Sequence, residues 1–178
     1  PLGYSAEIKV FHGKLFVNGK VIKEKLKIKE GDEIEIKGKK SFFILKYGDG
    51  TQIIVKDGKL KVNELKEVKR KSNFSLSKGI FGAFVNPNSN HDFKVMRKNT
   101  VFGVRGTKFY LDVNKEDSYL CVCEGEVSVQ RGKDSINVFK GEDLKVKGEE
   151  LAKSKANNMM WSMAIDLFKK MNIKIEER

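Results

Sequence analysis

From Glu7 to Val146, short runs of alternating apolar and polar residues follow one another, each closed by a turn containing glycine. This spacing constrains the chain more than any other feature. Alternation at period two puts one apolar face on each run, and turn signals about every 8–12 residues leave no room for long helices. Glu7–Phe11, Lys14–Val17, Lys25–Lys29, Glu33–Lys37, Ser41–Lys46, Thr51–Lys56 and Lys59–Val62 read as strands. Asn18-Gly19 marks a tight hairpin, because both central residues of that turn need positive φ. A second block begins at Phe74, is interrupted by the loop Asn86-Pro87-Asn88-Ser89-Asn90, and continues through Phe93–Met96, Thr100–Val113 and Ser118–Arg131. Ile136–Phe139 and Asp143–Val146 close it.

The expected fold is mostly β, a meander, sandwich or solenoid-like arrangement in two repeat-like blocks. One β domain is expected over 4–146, with lobes at 4–62 and 74–146. The Lys/Glu-rich segment 63–73 is predicted as a connector or a short helical turn. The period changes between 149 and 172, where Met159, Met160, Met163, Ala164, Leu167, Phe168 and Met171 fall at helical spacing. An amphipathic C-terminal helix is predicted there, packed on the β domain or offered to a partner, since methionine side chains adapt to varied surfaces. Met159, Met160, Met163, Leu167, Phe168 and Met171 form the candidate partner face. Pro1-Leu2-Gly3 reads as a tag remnant, so a signal peptide or anchor is expected to have preceded Tyr4.

Net charge is +12, and only residues 70, 97, 105, 131 and 178 are arginines among 36 Lys and Arg. Scattered lysine blunts sheet edges and keeps a β protein soluble. It also permits an electrostatic polyanion binder, of nucleic acid, acidic glycan or anionic lipid, as an alternative reading. The scarcity of arginine argues against nucleic acid. No run of 18 apolar residues is present, so no transmembrane helix is expected. Cys121 and Cys123 share one strand face, where a disulfide would be strained and two ligands do not make a zinc site. Buried free thiols are expected. His12 and His91 lie in loop-like settings with no nucleophile motif beside them, and no phosphate loop, dinucleotide fingerprint or metal-spaced cluster occurs. No enzyme, cofactor or metal is predicted.

One ordered set of residues carries more information. Gly31-Asp32 and Asp49-Gly50-Thr51 precede Val104-Arg105-Gly106-Thr107-Lys108-Phe109, introduced by Gly103; Glu124-Gly125-Glu126-Val127 and Gly141-Glu142 follow. The set resembles the FecR-like family of bacterial envelope proteins over roughly residues 26–146. Physically, Gly103 and Gly106 permit positive φ or close backbone approach, and Thr107, Phe109 and Leu111 share a core face. Arg105, between two bends, is predicted to clasp a carboxylate from Asp49, Glu124 or Asp32, with contact to a ligand as the alternative. The resemblance implies an inner-membrane regulator with a periplasmic β-rich region that relays an outer-membrane receptor's state to a sigma factor. The chain lacks a cytoplasmic anti-sigma helix segment and looks more like a free-standing FecR-domain protein. The resemblance thus implies a periplasmic or envelope-associated regulatory or scaffolding module that binds another protein or a cell-wall polymer.

Overall fold

The computed structural model describes residues 5–114 and 116–176; the first three residues, read above as a tag remnant, lie outside them. The elements are β1 (Ala6–Val17), β2 (Lys20–Ile22), β3 (Leu26–Lys27), β4 (Glu33–Tyr47), β5 (Gln52–Lys66), β6 (Lys71–Phe84), β7 (Asp92–Arg97), β8 (Thr100–Asp112), β9 (Ser118–Arg131), β10 (Asp134–Phe139), β11 (Glu142–Lys147), β12 (Glu150–Lys155) and α1 (Asn158–Lys169). All strands join one sheet in the order β12-β11-β9-β8-β7-β6-β5-β4-β1-β2, with β10 on β9 and β3 on β1. Pairing is antiparallel except between β6 and β7. The mostly β fold with a C-terminal helix is therefore present.

The Asn18-Gly19 hairpin forms as expected, with φ of 52° and 77°. Segment 63–73 differs from the connector or helical turn predicted for it. It supplies the ends of β5 and β6, paired through Glu64↔Asn73, Leu65↔Ser72 and Lys66↔Lys71. Its Lys and Glu side chains mark the solvated side of a hairpin, which composition alone does not distinguish from a linker.

One sheet covers its own apolar face because the strands crease together. In β1, β4, β5 and β6 the ladder loses register near residues 12–14, 35–42 and 56–59. At that level the backbones nearly touch. A side chain on Gly79 (φ +104°) would meet the Gly58 Cα at 2.6 Å and the Lys56 carbonyl oxygen at 2.7 Å. A side chain on Gly13 would meet the Lys37 carbonyl oxygen at 2.7 Å. Only glycine allows that approach, and bulges of this kind sharpen the bend of every strand they interrupt. The inner face then closes on a single apolar cluster running from Ala6 and Ile8 on β1 to Leu144 and Val146 on β11.

The outer face is covered in its middle by α1. A cross-strand row, Ile44–Ile54–Gly82–Tyr110–Cys121–Asp143, traverses five strand pairings and forms the seat. Leu167 fills the hollow at Gly82, where an added Cβ would lie 2.7 Å from its Cδ2. Trp161, Ala164, Phe168 and Met171 complete the contact. Cys121 and Cys123 form no disulfide and are buried beneath the helix. The hydrogen bond with Cys121 and burial push the Cys123 thiol up, which keeps it protonated and unreactive. The helix starts later than periodicity predicts. Residues 150–155 pair with β11 as β12, and Asn157 caps the helix, its Oδ1 accepting from the Met159 and Met160 N–H groups. Buried Asp143 accepts the Asn157 N–H at 2.7 Å and so ties the turn to the sheet.

Candidate functional site: the signature bend and its polar network

The signature residues 103–109 lie on β8, where pairing with β9 slips between Arg105 and Lys108. Gly106 (φ +51°) makes the slip possible: a side chain there would strike Pro87 at 2.6 Å. The matching bend on β9 is at Gly125 (φ +83°), where an added Cβ would lie 2.8 Å from the Gly106 carbonyl oxygen. The Thr107 hydroxyl closes the bulge, 2.6 Å from the Arg105 carbonyl oxygen and 2.8 Å from that of Glu126. Thr107, Phe109 and Leu111 all face the core and are buried, as their alternation predicts. Val104 joins them from the other side of the slip.

Two signature residues behave differently from expectation. Gly103 has ordinary extended backbone, and its nearest neighbour to an added Cβ is the Ser128 carbonyl oxygen at 3.8 Å. The positive φ belongs to Gly106 and Gly125 instead. Arg105 is exposed and clasps none of the three carboxylates predicted for it. Each already has partners: Asp49 binds His91, Glu124 binds Lys108 at 2.8 Å, and Asp32 accepts from Asn18 Nδ2 and the Lys29 N–H at 2.9 Å. The register slip turns Arg105 outward and gives the ion pair to Lys108, whose stem lies against the sheet.

Gly31-Asp32 and Asp49-Gly50-Thr51 have parallel jobs. Asp32, buried, joins its own turn to the Asn18 hairpin. Asp49 joins its turn to the signature bend through the 86–91 loop. It accepts the Thr51 N–H at 2.8 Å and the Thr51 hydroxyl at 3.1 Å, while Asn86 Nδ2 donates to its carbonyl oxygen. His91 Nδ1 lies 3.3 Å from Asp49 Oδ2 and therefore donates, because a carboxylate only accepts. His91 Nε2 meets Ser72 Oγ at 2.8 Å, and Ser72 Oγ meets the Tyr47 hydroxyl at 2.7 Å. The ring is held edge-on between Tyr47 and Phe93. Burial works to raise the Asp49 carboxyl, but hydrogen bonds from His91, Thr51 and Ser89 outweigh it and hold it at about 2. Burial pushes the Tyr47 hydroxyl up, so it remains protonated.

Asp49, His91 and Ser72 thus have the connectivity of an acid–base–hydroxyl relay, which sequence reading missed entirely. Their separations in the chain carry no motif, and His91 reads there only as a loop residue. Accessibility decides what the relay can do. Ser72 is 2% exposed and His91 3%, and Ser72 Oγ is engaged by Tyr47 on its other side. A nucleophile must reach the atom it attacks. The geometry suits a buried strut that fixes the 86–91 loop against Gly106.

The candidate partner face divides. Leu167, Phe168 and Met171 are buried against the sheet and Met160 is half-buried, while Met159 and Met163 are exposed. Trp161 is also inside. The apolar stripe serves mainly the chain's own core, and two methionines extend past its edge. Among the described residues no group of His, Cys, Asp and Glu is arranged to hold a metal ion, and no helix is long and apolar enough to cross a membrane.

A creased, glycine-hinged sheet with one covering helix and a buried polar strut defines a β-rich module whose signature segment bends at Gly106 opposite Gly125. The family model of the FecR protein matches residues 32–128, more than half the chain, and the chain belongs to the FecR family. Its fold is shared by a crystal structure of a candidate anti-sigma factor from Parabacteroides distasonis, with a TM-score of 0.61 at 15% identity over 73% of this chain. This chain spans 62% of that protein's length. A second crystal structure described in the same words covers 88% of this chain and 62% of its own, at 14% identity and a TM-score of 0.49. No curated protein matches the sequence.

Proposed function

We propose that this chain is a non-enzymatic regulatory or scaffolding module of the bacterial envelope that binds a protein partner or a cell-wall polymer through its β domain. The observation that carries the reading is the signature bend itself. Gly106 and Gly125 are hinges, Asp49 belongs to a buried strut and Thr107 and Phe109 to the core, while Arg105 is turned outward, which suits recognition by surface. Membership of the FecR family and the fold shared with a candidate anti-sigma factor support an envelope regulatory role. Two surfaces suit a partner: the unpaired edge of β12, which continues a sheet by strand addition, and the exposed Met159–Met163 ledge beside it in sequence. Cross-linking in envelope extract is the test. Reproducible capture of one protein or polymer, reduced by Met159→Asp with Met163→Asp, supports the reading. No reproducible partner, together with a cytoplasmic location on fractionation, overturns it.

A second reading, polyanion binding, is favoured by one local arrangement. Lys14 and Lys37 stand directly opposite each other across β1 and β4, with both ammonium groups over the Phe16 ring at 5.7 and 5.4 Å. Lys59 and Lys78 oppose each other nearby. Directly opposed like charges destabilise a sheet; Glu35 pairs with Lys37 at 3.0 Å and Asp57 with Lys78 at 3.8 Å, and an external anion would offset the repulsion that remains. Retention on heparin that falls steeply with salt, and is lost in Lys14→Gln with Lys37→Gln, distinguishes this reading from the first.

A further inference from the structure

We propose that the open mouth of the creased sheet, where β7, β8 and β9 end, is a binding site for a monoanionic carboxylate held by Arg97 and Arg131. The proposal is independent of the β12 edge and the methionine ledge.

Arg97, Thr100 and Arg131 are cross-strand partners in one row, Arg97↔Thr100 and Thr100↔Arg131. The row lies on the same strand faces as the core residues Val95, Phe102 and Val129, one step beyond them. It therefore caps the inner core at that end of the sheet. Beside it opens a groove of about 580 Å³, lined also by Ser118 and Lys98, a size that suits a small ligand. In a chain that uses lysine almost everywhere, two of its five arginines meet at this one place.

Neither guanidinium has a carboxylate within ion-pair distance among the described residues. Arg97 Nη1 donates to the Ser77 carbonyl oxygen at 2.9 Å, and Arg131 Nη1 to the Thr100 hydroxyl at 2.9 Å. Arg97 Nε is buried without a hydrogen-bond partner. The nearby acids are already engaged: Glu116 pairs with Lys98 at 3.0 Å and Asp117 with Lys145 at 3.4 Å. Both arginines are half-buried and held only by neutral acceptors, and the buried orphan N–H of Arg97 leaves the pair incompletely satisfied. An oxyanion entering the groove would relieve both, because the planar guanidinium fork matches a two-oxygen acceptor.

Charge selects the class of anion. The groove's lining carries four cations, Arg97, Lys98, Arg131 and Lys147, against three carboxylates, Glu116, Asp117 and Glu150. The carboxylates at the rim weigh against a dianion, and the planar forks of two arginines match the two oxygens of one carboxylate. The carboxylate could come from a free small acid or from the C-terminus of a peptide.

The test is NMR titration of the whole chain, following the Arg97 and Arg131 Nε–H signals. The probes are N-acetylglycine, a neutral tetrapeptide with a free C-terminus, the same peptide amidated, and inorganic phosphate. The expected result is saturable shifts of both signals with the two acids and none with the amide. Equal affinity for the two acids identifies a small acid as the ligand, and tighter binding of the peptide acid identifies a chain terminus. Arg131→Lys, which keeps the charge but removes the fork, should weaken binding about ten-fold without lowering the melting temperature. The proposal is overturned if neither acid saturates in the millimolar range, if the amide binds as well as the acid, or if phosphate binds more tightly. Those wild-type titrations decide the matter even if the variant fails to fold.

Discussion

The chain bends twice, and the two bends are built differently. The first, across β1, β4, β5 and β6, rests on Gly13, Gly58 and Gly79, whose backbones approach their neighbours too closely for a side chain, with buried Ser41 against Gly13. The second, at Gly106 and Gly125, is braced by side chains: Thr107 within the bulge, Pro87 against Gly106, and the Asp49–His91–Ser72–Tyr47 strut behind the loop. A bend made only by backbone contact is rigid and indifferent to pH. A bend braced by a carboxylate held well below its ordinary range answers to acid. Only the second contains the family signature, and the network beside it explains why that signature includes residues as far apart as Asp49 and Gly106.

Breaking the first bend should have the largest effect. Gly79→Ala forces positive φ on an L-residue and drives its Cβ into three backbone atoms at 2.6–2.8 Å. A loss of about 3–5 kcal/mol, or failure to fold, is expected in urea denaturation. His91→Ala tests the second bend. It strips Asp49 and Ser72 of buried partners and should cost about 2–3 kcal/mol in the same assay. If both variants lose equal stability with equal loss of cooperativity, the contrast between the bends fails.

Acid sharpens the contrast. Asp49 is held at about 2 in the folded chain, below the ordinary carboxylate value near 4. Its contribution is therefore fully present above about pH 4 and is lost as pH falls toward about 2. About 1–2 kcal/mol should disappear over that window after allowance for partial solvent contact. Asp49→Asn should flatten this part of the pH–stability curve while leaving wild-type behaviour above pH 5 displaced by a constant amount. The smallest effects belong to two signature positions. Arg105→Ala and Gly103→Ala should each change the melting temperature by no more than about 0.5 kcal/mol of stability implies, since Arg105 is exposed and Gly103 has room for a methyl group. A large loss in Arg105→Ala would restore the clasp that the register slip argues against.

Much of this was legible residue by residue. Alternation places Leu15, Ile34, Ile36, Val127 and Val129 on the inner face, and each is buried there. Asn18-Gly19 predicts its own hairpin. The helical stripe is visible from Met159 onward, although its beginning is not, because Leu151 and Ala152 suit an edge strand as well as a helix. Arg105 illustrates the limit. Its neighbours predict a bend, but the direction in which a side chain leaves a bulge depends on the partner strand, here β9, whose own bend at Gly125 sets the slip.

The local pattern alone settled most strand stretches, the Asn18-Gly19 turn and the amphipathic helix from Met159, because φ preferences and side-chain period act over a few residues; it misread 63–73 and 150–155 and split β1, β4 and β5 at their bends. The pairing of His91 with Asp49 and Ser72, the meeting of Arg97 with Arg131, and the seating of Leu167 over Gly82 were decided by the creased sheet. Those contacts join residues tens of positions apart, and only strand register and sheet curvature set the distances between them.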